Sequence, residues 1–445
     1  MPMAISECSL DMMRSLKIKS VEELFRDIPK EVRTDGLRIP DGLSELELRR
    51  HLESMMAVNR PVSSQPTFLG AGVYHHFIPA AVRTIVSRSE FITSYTPYQP
   101  EISQGMLQSL FEYQSFMAEL TAMDVVNSSM YDASTALGEA VLMSYRLNGG
   151  QTFLLSRALS PEKKAVAQTY ARGANIKLTE VAYDKTTGMV DLGDLKSKLV
   201  DGVSGFYFES PNFFGPIESQ AEEIRALLGD RTMVVGVNPL SLALLRPPGD
   251  YGADIVIGDA QVFGTSLNLG GPMIGIFACR SEHVRKMPGR IIGMTADLEG
   301  RRSYCMTLQT REQHIRRSKA TSNICTNEAL LAVAAAAHLA LVGKTGLRQT
   351  AAKNVENAHA LASRLAAVPG FKAPHFRAPH FNEFVMSSQK DSKKIHSELL
   401  KKGVHGGLVL DDYFPELGHA SLLATTEMHT AADHDELVRA LGAMR

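Results

Sequence analysis

The sequence predicts an α/β protein: a mostly parallel sheet flanked by helices, followed by a smaller α+β domain. Three observations carry this. From Gln151 onward, apolar runs of strand length alternate with amphipathic runs of helix length. Val203 to Glu209 is almost continuously apolar, as in a strand covered on both faces. After Pro369-Gly370 the elements become short and the alternation stops. At 445 residues the chain exceeds the comfortable size of one core, so more than one domain is expected. The expected division is an N-terminal helical arm over 1–65, a large α/β domain over 66–344 and a small α+β domain over 345–445.

Composition narrows the function classes. Apolar residues make up 44% and charged residues 21%, with a net charge of −1 from 47 basic and 48 acidic side chains. Such a balance steers neither nucleic acid nor a membrane surface. Cys8, Cys279, Cys305 and Cys325 form no Cys-x-x-Cys pair, so neither a zinc site nor a disulfide framework is expected. Glu7 and Asp11 interrupt any apolar run near the start, so no secretory pattern is expected and a cytoplasmic home fits. The most apolar stretch, Ala329 to Gly343, is shorter than the roughly 20 residues of a membrane span and reads as a buried helix.

In the arm, Ser20-Val21-Glu22-Glu23 and Ser44-Glu45-Leu46-Glu47 are both expected to form capping boxes. His75 and His76 are neighbours in sequence and point apart in regular structure, so they read as packed histidines rather than metal ligands. Ser94-Tyr95-Thr96-Pro97-Tyr98-Gln99-Pro100-Glu101 is a loop stiffened by two prolines. It presents two phenols and leads into a helix from Met106 to about Met123, with Ser103 as the expected cap.

Next come a strand at Asp124–Asn127 and a helix start at Asp132-Ala133-Ser134-Thr135. Strands are then expected at Thr152–Ser156, Ile176–Val181, Val203–Glu209, Thr232–Val237, Ile255–Ile257 and Met273–Ala278. The helices between them are expected after Ser160-Pro161, at Leu192–Leu199 and at Ile217–Leu228. Met287 to Asn327 is rich in charge and reads as a solvated face. Helices follow at Glu328–Leu341 and Leu347–Ala366. The last domain reads as a strand at Phe381–Met386, a helix at Lys393–Lys402, a strand at Ala420–Thr425 and a helix at Asp433–Met444.

Several stretches together resemble one family, the P protein of the glycine cleavage system. They are Ser94 to Glu101, Gly258-Asp259-Ala260-Gln261, Gly270-Gly271-Pro272, Leu308 to Arg317 and Lys319 to Asn327. The resemblance runs end to end with the first of two homologous halves, which some members carry as a separate α subunit. It implies the fold type I of pyridoxal-phosphate (PLP) transferases. It also implies a reaction in which glycine is decarboxylated and its aminomethyl group passes to the lipoyl arm of the H protein.

PLP chemistry demands a lysine for the aldimine, a carboxylate against the pyridine nitrogen, and N–H groups and hydroxyls around the phosphate. Aligned by Gly270-Gly271-Pro272, Gln261 stands at the lysine's place, and nothing from Tyr251 through Cys279 is lysine. Asn238 stands where the carboxylate is expected. Asp132, Ser134 and Thr135 represent the phosphate helix, where Asp132 caps well but repels a phosphate.

The resemblance therefore implies that this chain holds no PLP covalently. PLP resides on a homologous β subunit, lipoate on the H protein, and Tyr95, Thr96, Tyr98, Ser103 and Gln104 reach toward the β subunit's site. The alternatives are a self-sufficient PLP-dependent amino acid decarboxylase and a non-catalytic scaffold. The first needs an aldimine lysine, and Lys286 and Lys319 fall after the expected strand. Arg311 to Lys319 is open between a surface for the H protein and ion pairing.

Overall fold

The computed structural model describes residues 7–34 and 36–444. The side chains of Glu7 and Cys8 lie outside that description, so the expectation for Cys8 does not bear on it. Two compact units emerge, Met1–Pro61 and Val62–Arg445.

The first unit carries helices at Glu7–Leu16 and Glu45–Met56. The capping box at Ser44 forms, with Ser44 and Glu47 bonding each other's backbone N–H. The one expected at Ser20 does not. Val21–Phe25 is a short 3-10 helix whose N-cap makes no side-chain bond, because Glu23 turns to accept from the N–H of Lys19 instead.

The second unit is built on a sheet of seven strands: β1 (Val125–Val126), β2 (Thr152–Ser156), β3 (Lys177–Val181), β4 (Val203–Glu209), β5 (Thr232–Val237), β6 (Ile255–Asp259) and β7 (Gly275–Cys279). Their spatial order is β1-β7-β6-β5-β4-β2-β3. Strands β3, β2, β4, β5 and β6 run parallel, β7 pairs antiparallel with β6, and β1 at the edge pairs antiparallel with β7. Side chains alternate between two cores. Phe206, Phe208, Met233 and Val235 enter one, while Phe153, Tyr207, Val234 and Ile257 enter the other. Helices cover both faces, which is why these strands are apolar throughout.

Several boundaries shift for local reasons. The helix expected from Ile217 begins at Ala221, because the N–H of Ile217 bonds Pro379 O and that of Glu218 bonds Ser210 Oγ. The helix after the tyrosine loop is Gln104–Thr121, and Ser103 makes no side-chain cap bond. The expected solvated face over 287–327 instead contains a hairpin, β8 (Ile291–Ala296) with β9 (Arg302–Thr307). Tyr304 and Met306 of β9 are buried, and Arg302 points outward.

Ala329–Ala366 is one run interrupted at Gly343, where φ is 58° and ψ is −176°. It is long and apolar enough to cross a membrane by length and composition. Ala332, Val333, Ala335, Ala336 and Leu339 lie in the core beside the large sheet, which accounts for that hydropathy. The last strands, β10 (Phe371–Lys372), β11 (Glu383–Ser388), β12 (Leu408–Val409) and β13 (Ala420–Ala424), form an antiparallel sheet in the order β10-β11-β13-β12.

Candidate functional site

Ligand sites in open parallel sheets form beyond the C-terminal ends of the strands. Here the ends of β4, β5 and β6 line a cavity of about 190 Å³, with Glu209, Val237-Asn238 and Gly258-Asp259 among its walls. Asp132 and Ser134, at the start of the helix Ala133–Asn148, line the same cavity. Three of the expected cofactor positions, Asn238, Asp132 and Ser134, are thus brought together. Gln261 and Thr135 are not in its walls.

Gln261 is fully buried in the short turn after β6. Its carboxamide is committed on both sides. Oε1 accepts from Tyr74 N at 3.1 Å, and Nε2 donates to Tyr74 O at 3.0 Å and to Thr265 O at 2.8 Å. The amide staples the segment around Tyr74 to the end of β6. A side chain so engaged has no free reactive end to present to a ligand.

Asn238 follows β5 and accepts from Leu240 N through its side chain, leaving its Nδ2 buried without a partner. Asp132 caps its helix, with Oδ1 accepting from Thr135 N at 2.6 Å and from Thr135 Oγ1 at 2.9 Å. The hydroxyl of Thr135 is thereby consumed in the capping box.

The cavity is strongly acidic. Asp132, Glu162, Glu209, Asp259 and Glu383 face it against one cation, Lys163. Lys163 is itself paired with Glu209 at 2.5 Å. Burial pushes Asp259 up to about 7, although the N–H groups of Gln261 and Ile274 pull the other way. Burial likewise lifts Glu383 to about 7 against hydrogen bonds from Tyr74 Oη and the N–H of Ala71. Glu383 and Tyr74 were not legible as site residues. They come from opposite ends of the chain, and no local pattern marks their meeting.

The tyrosine loop lies elsewhere, and none of its residues lines the cavity. Tyr95 and Tyr98 are 68% and 53% exposed, so both rings are presented outward. Tyr95 Oη lies 3.3 Å from Thr326 Oγ1. Tyr98 Oη accepts from Arg290 Nη2 at 3.0 Å. Arg290 is buried, and its Nη1 donates to Asn327 Oδ1 at 3.3 Å. Among the described residues, no carboxylate pairs with Arg290 and its Nε has no partner. The charge run around it concealed this residue. Thr96 Oγ1 is also buried without a partner.

Gln104 bonds Pro100 O, Tyr304 O and Tyr304 N, pinning the helix start to β9. It is committed to the scaffold, whereas the rings of Tyr95 and Tyr98 are exposed. Arg311 departs from the surface expectation as well. It is buried, with Nη1 and Nη2 donating to Met287 O and Gly289 O, whereas Arg316, Arg317 and Lys319 are exposed.

The chain matches the family model described as "Glycine cleavage system P-protein" over residues 5–441. It belongs to the glycine cleavage system P-protein family. Among curated members, it is 47% identical to "Probable glycine dehydrogenase (decarboxylating) subunit 1" of Pyrococcus abyssi, covering 97% of this chain and 96% of the relative. The protein of the same name in Desulforamulus reducens is 46% identical, with 97% of each chain covered.

A crystal structure of glycine decarboxylase (P-protein) of the glycine cleavage system, in inhibitor-bound form, superposes with a TM-score of 0.90 at 38% identity over 98% of each chain. Sphingosine-1-phosphate lyase Bpss2021 of Burkholderia pseudomallei K96243 superposes with a TM-score of 0.67 at 14% identity over 93% of each chain, a likeness of fold alone. The fold of this P-protein chain is the PLP-dependent transferase fold type I.

Proposed function

We propose that this chain is the α subunit of a two-subunit glycine decarboxylase, with PLP carried by a lysine-bearing β subunit. The observation that carries the division of labour is Gln261. At the place expected for the aldimine lysine stands an amide with both ends hydrogen-bonded to backbone. Asn238 supplies no negative charge to a pyridinium, and the acidic wall opposes a phosphate. PLP therefore does not fit the residues of this cavity. Lys163, which does line the cavity, is neutralised by Glu209.

The contribution of this chain lies in its outward loop. Tyr95 and Tyr98 offer two phenols on a proline-stiffened segment, and Arg290 fixes the hydroxyl of Tyr98 from behind. Set against the β subunit's site, such phenols orient a carboxylate or phosphate and exclude water from the reacting centre. The H protein, bearing lipoate, is the acceptor of the aminomethyl group from glycine. Three unpaired cysteines among the described residues and the bacterial and archaeal relatives support a cytoplasmic home.

The test is reconstitution. The chain should copurify with a lysine-bearing homologue. Glycine–bicarbonate exchange with H protein present should require both chains. Full exchange activity from either chain alone would refute the division of labour.

A further inference from the structure

The cavity that does not fit PLP has a chemistry of its own. We propose that it binds a small zwitterionic α-amino acid, such as glycine, as a site separate from the catalytic one.

The argument starts from charge. Lys163 is occupied by Glu209, and among the described residues no ion pair reaches Asp132, Asp259 or Glu383. These carboxylates gather at one end of the parallel sheet in a poorly solvated hollow. A ligand ammonium is the group that lowers their mutual repulsion, and its N–H bonds find acceptors there.

A cation alone leaves a second feature unexplained. Asn382 is 2% exposed, lines the cavity, and its Nδ2 is buried without a hydrogen-bond partner. Asn238 lines the same cavity and its Nδ2 is in the same state. Buried amide donors are almost always satisfied, so two orphans in one wall call for an acceptor. An anion by itself is repelled by the surrounding carboxylates. A molecule carrying an ammonium and a carboxylate meets both needs at once. The volume of about 190 Å³ accommodates a molecule of this size.

The test is calorimetric titration of the full chain, purified alone, with glycine, glycinamide and acetate. Glycine should bind in the millimolar range or tighter, with a ceiling of about micromolar for so few heavy atoms. Glycinamide, lacking the carboxylate, and acetate, lacking the ammonium, should each bind at least roughly tenfold more weakly.

Asn382→Leu should weaken glycine by roughly tenfold and leave the thermal midpoint unchanged or higher, since it removes an unpaired buried donor. Asn238→Asp keeps an oxygen for Leu240 N but turns the free donor into an acceptor, and should weaken glycine similarly. It decides the matter if the first variant fails to fold.

Absence of heat at tens of millimolar glycine, equal affinity for glycinamide, or wild-type affinity in both variants would overturn the proposal. The titration needs neither β subunit nor PLP. Failure here leaves the division of labour intact, and a pyridoxyl group on a lysine of this chain would overturn that division without touching the titration.

Discussion

Gln261→Leu is the substitution that isolates the amide's structural role. Leucine keeps much of the volume and removes every hydrogen bond of the carboxamide. Three backbone groups then lose their partner: the N–H of Tyr74, the carbonyl of Tyr74 and the carbonyl of Thr265. All three bonds are buried. A net loss of about 1 kcal/mol per bond gives about 3 kcal/mol, and more where a group stays unsatisfied. Urea denaturation followed by circular dichroism reads this as a lower midpoint at unchanged slope. Gln261→Lys should recover only part of the loss. An ammonium can donate to the two carbonyls but cannot accept from Tyr74 N–H. A shift of the Leu variant below about 0.5 kcal/mol, the scale of an ordinary surface change, would refute the view of Gln261 as a staple.

Tyr95→Phe and Tyr98→Phe should each lower glycine–bicarbonate exchange by about 10- to 1000-fold, the scale of one oriented donor, with the heteromer still assembling on size exclusion. Full activity with both tyrosines changed to alanine would remove the loop from the site. Arg290→Met deletes a buried charge that has no carboxylate partner among the described residues. The isolated chain should be as stable or more stable by thermal melting, while exchange by the heteromer falls at least about tenfold. Glu383 titrates at about 7 in the fold because of burial, against its ordinary 4.5. The folded chain therefore binds more protons between pH 4.5 and 7, and this group's contribution to stability declines as pH rises through that window. Glu383→Gln should flatten the decline, so that variant and wild-type urea midpoints diverge in the variant's favour from pH 5 to pH 8.

The parallel sheet was legible because burial on both faces leaves near-continuous apolar strands such as Val203–Glu209. The hairpin β8–β9 was not. The charges that flank its strands, such as Arg301 and Arg302, make the run read as solvent-facing until Tyr304 and Met306 are seen packed inward. The same masking hid Arg290 and Arg311, whose burial depends on carbonyls and side chains distant in sequence. At the site, the identities of Gln261 and Asn238 spoke against a cofactor, yet sequence did not reveal that Gln261 is a staple. Two of its three bonds go to Tyr74, far along the chain. Gln104 and Ser103 illustrate the converse. Both were expected to reach toward the partner's site, and they stand at the start of the helix after the tyrosine loop. Gln104 serves the scaffold, and the side chain of Ser103 does not form the expected cap.

The division of labour is tested most directly by borohydride reduction of the reconstituted two-subunit enzyme in the presence of PLP, followed by peptide mass mapping of both chains. The predicted result is a pyridoxyl group on one lysine of the β subunit and none on this chain, with Lys163 unmodified. A pyridoxyl group on a specific lysine of this chain at stoichiometric yield would contradict it.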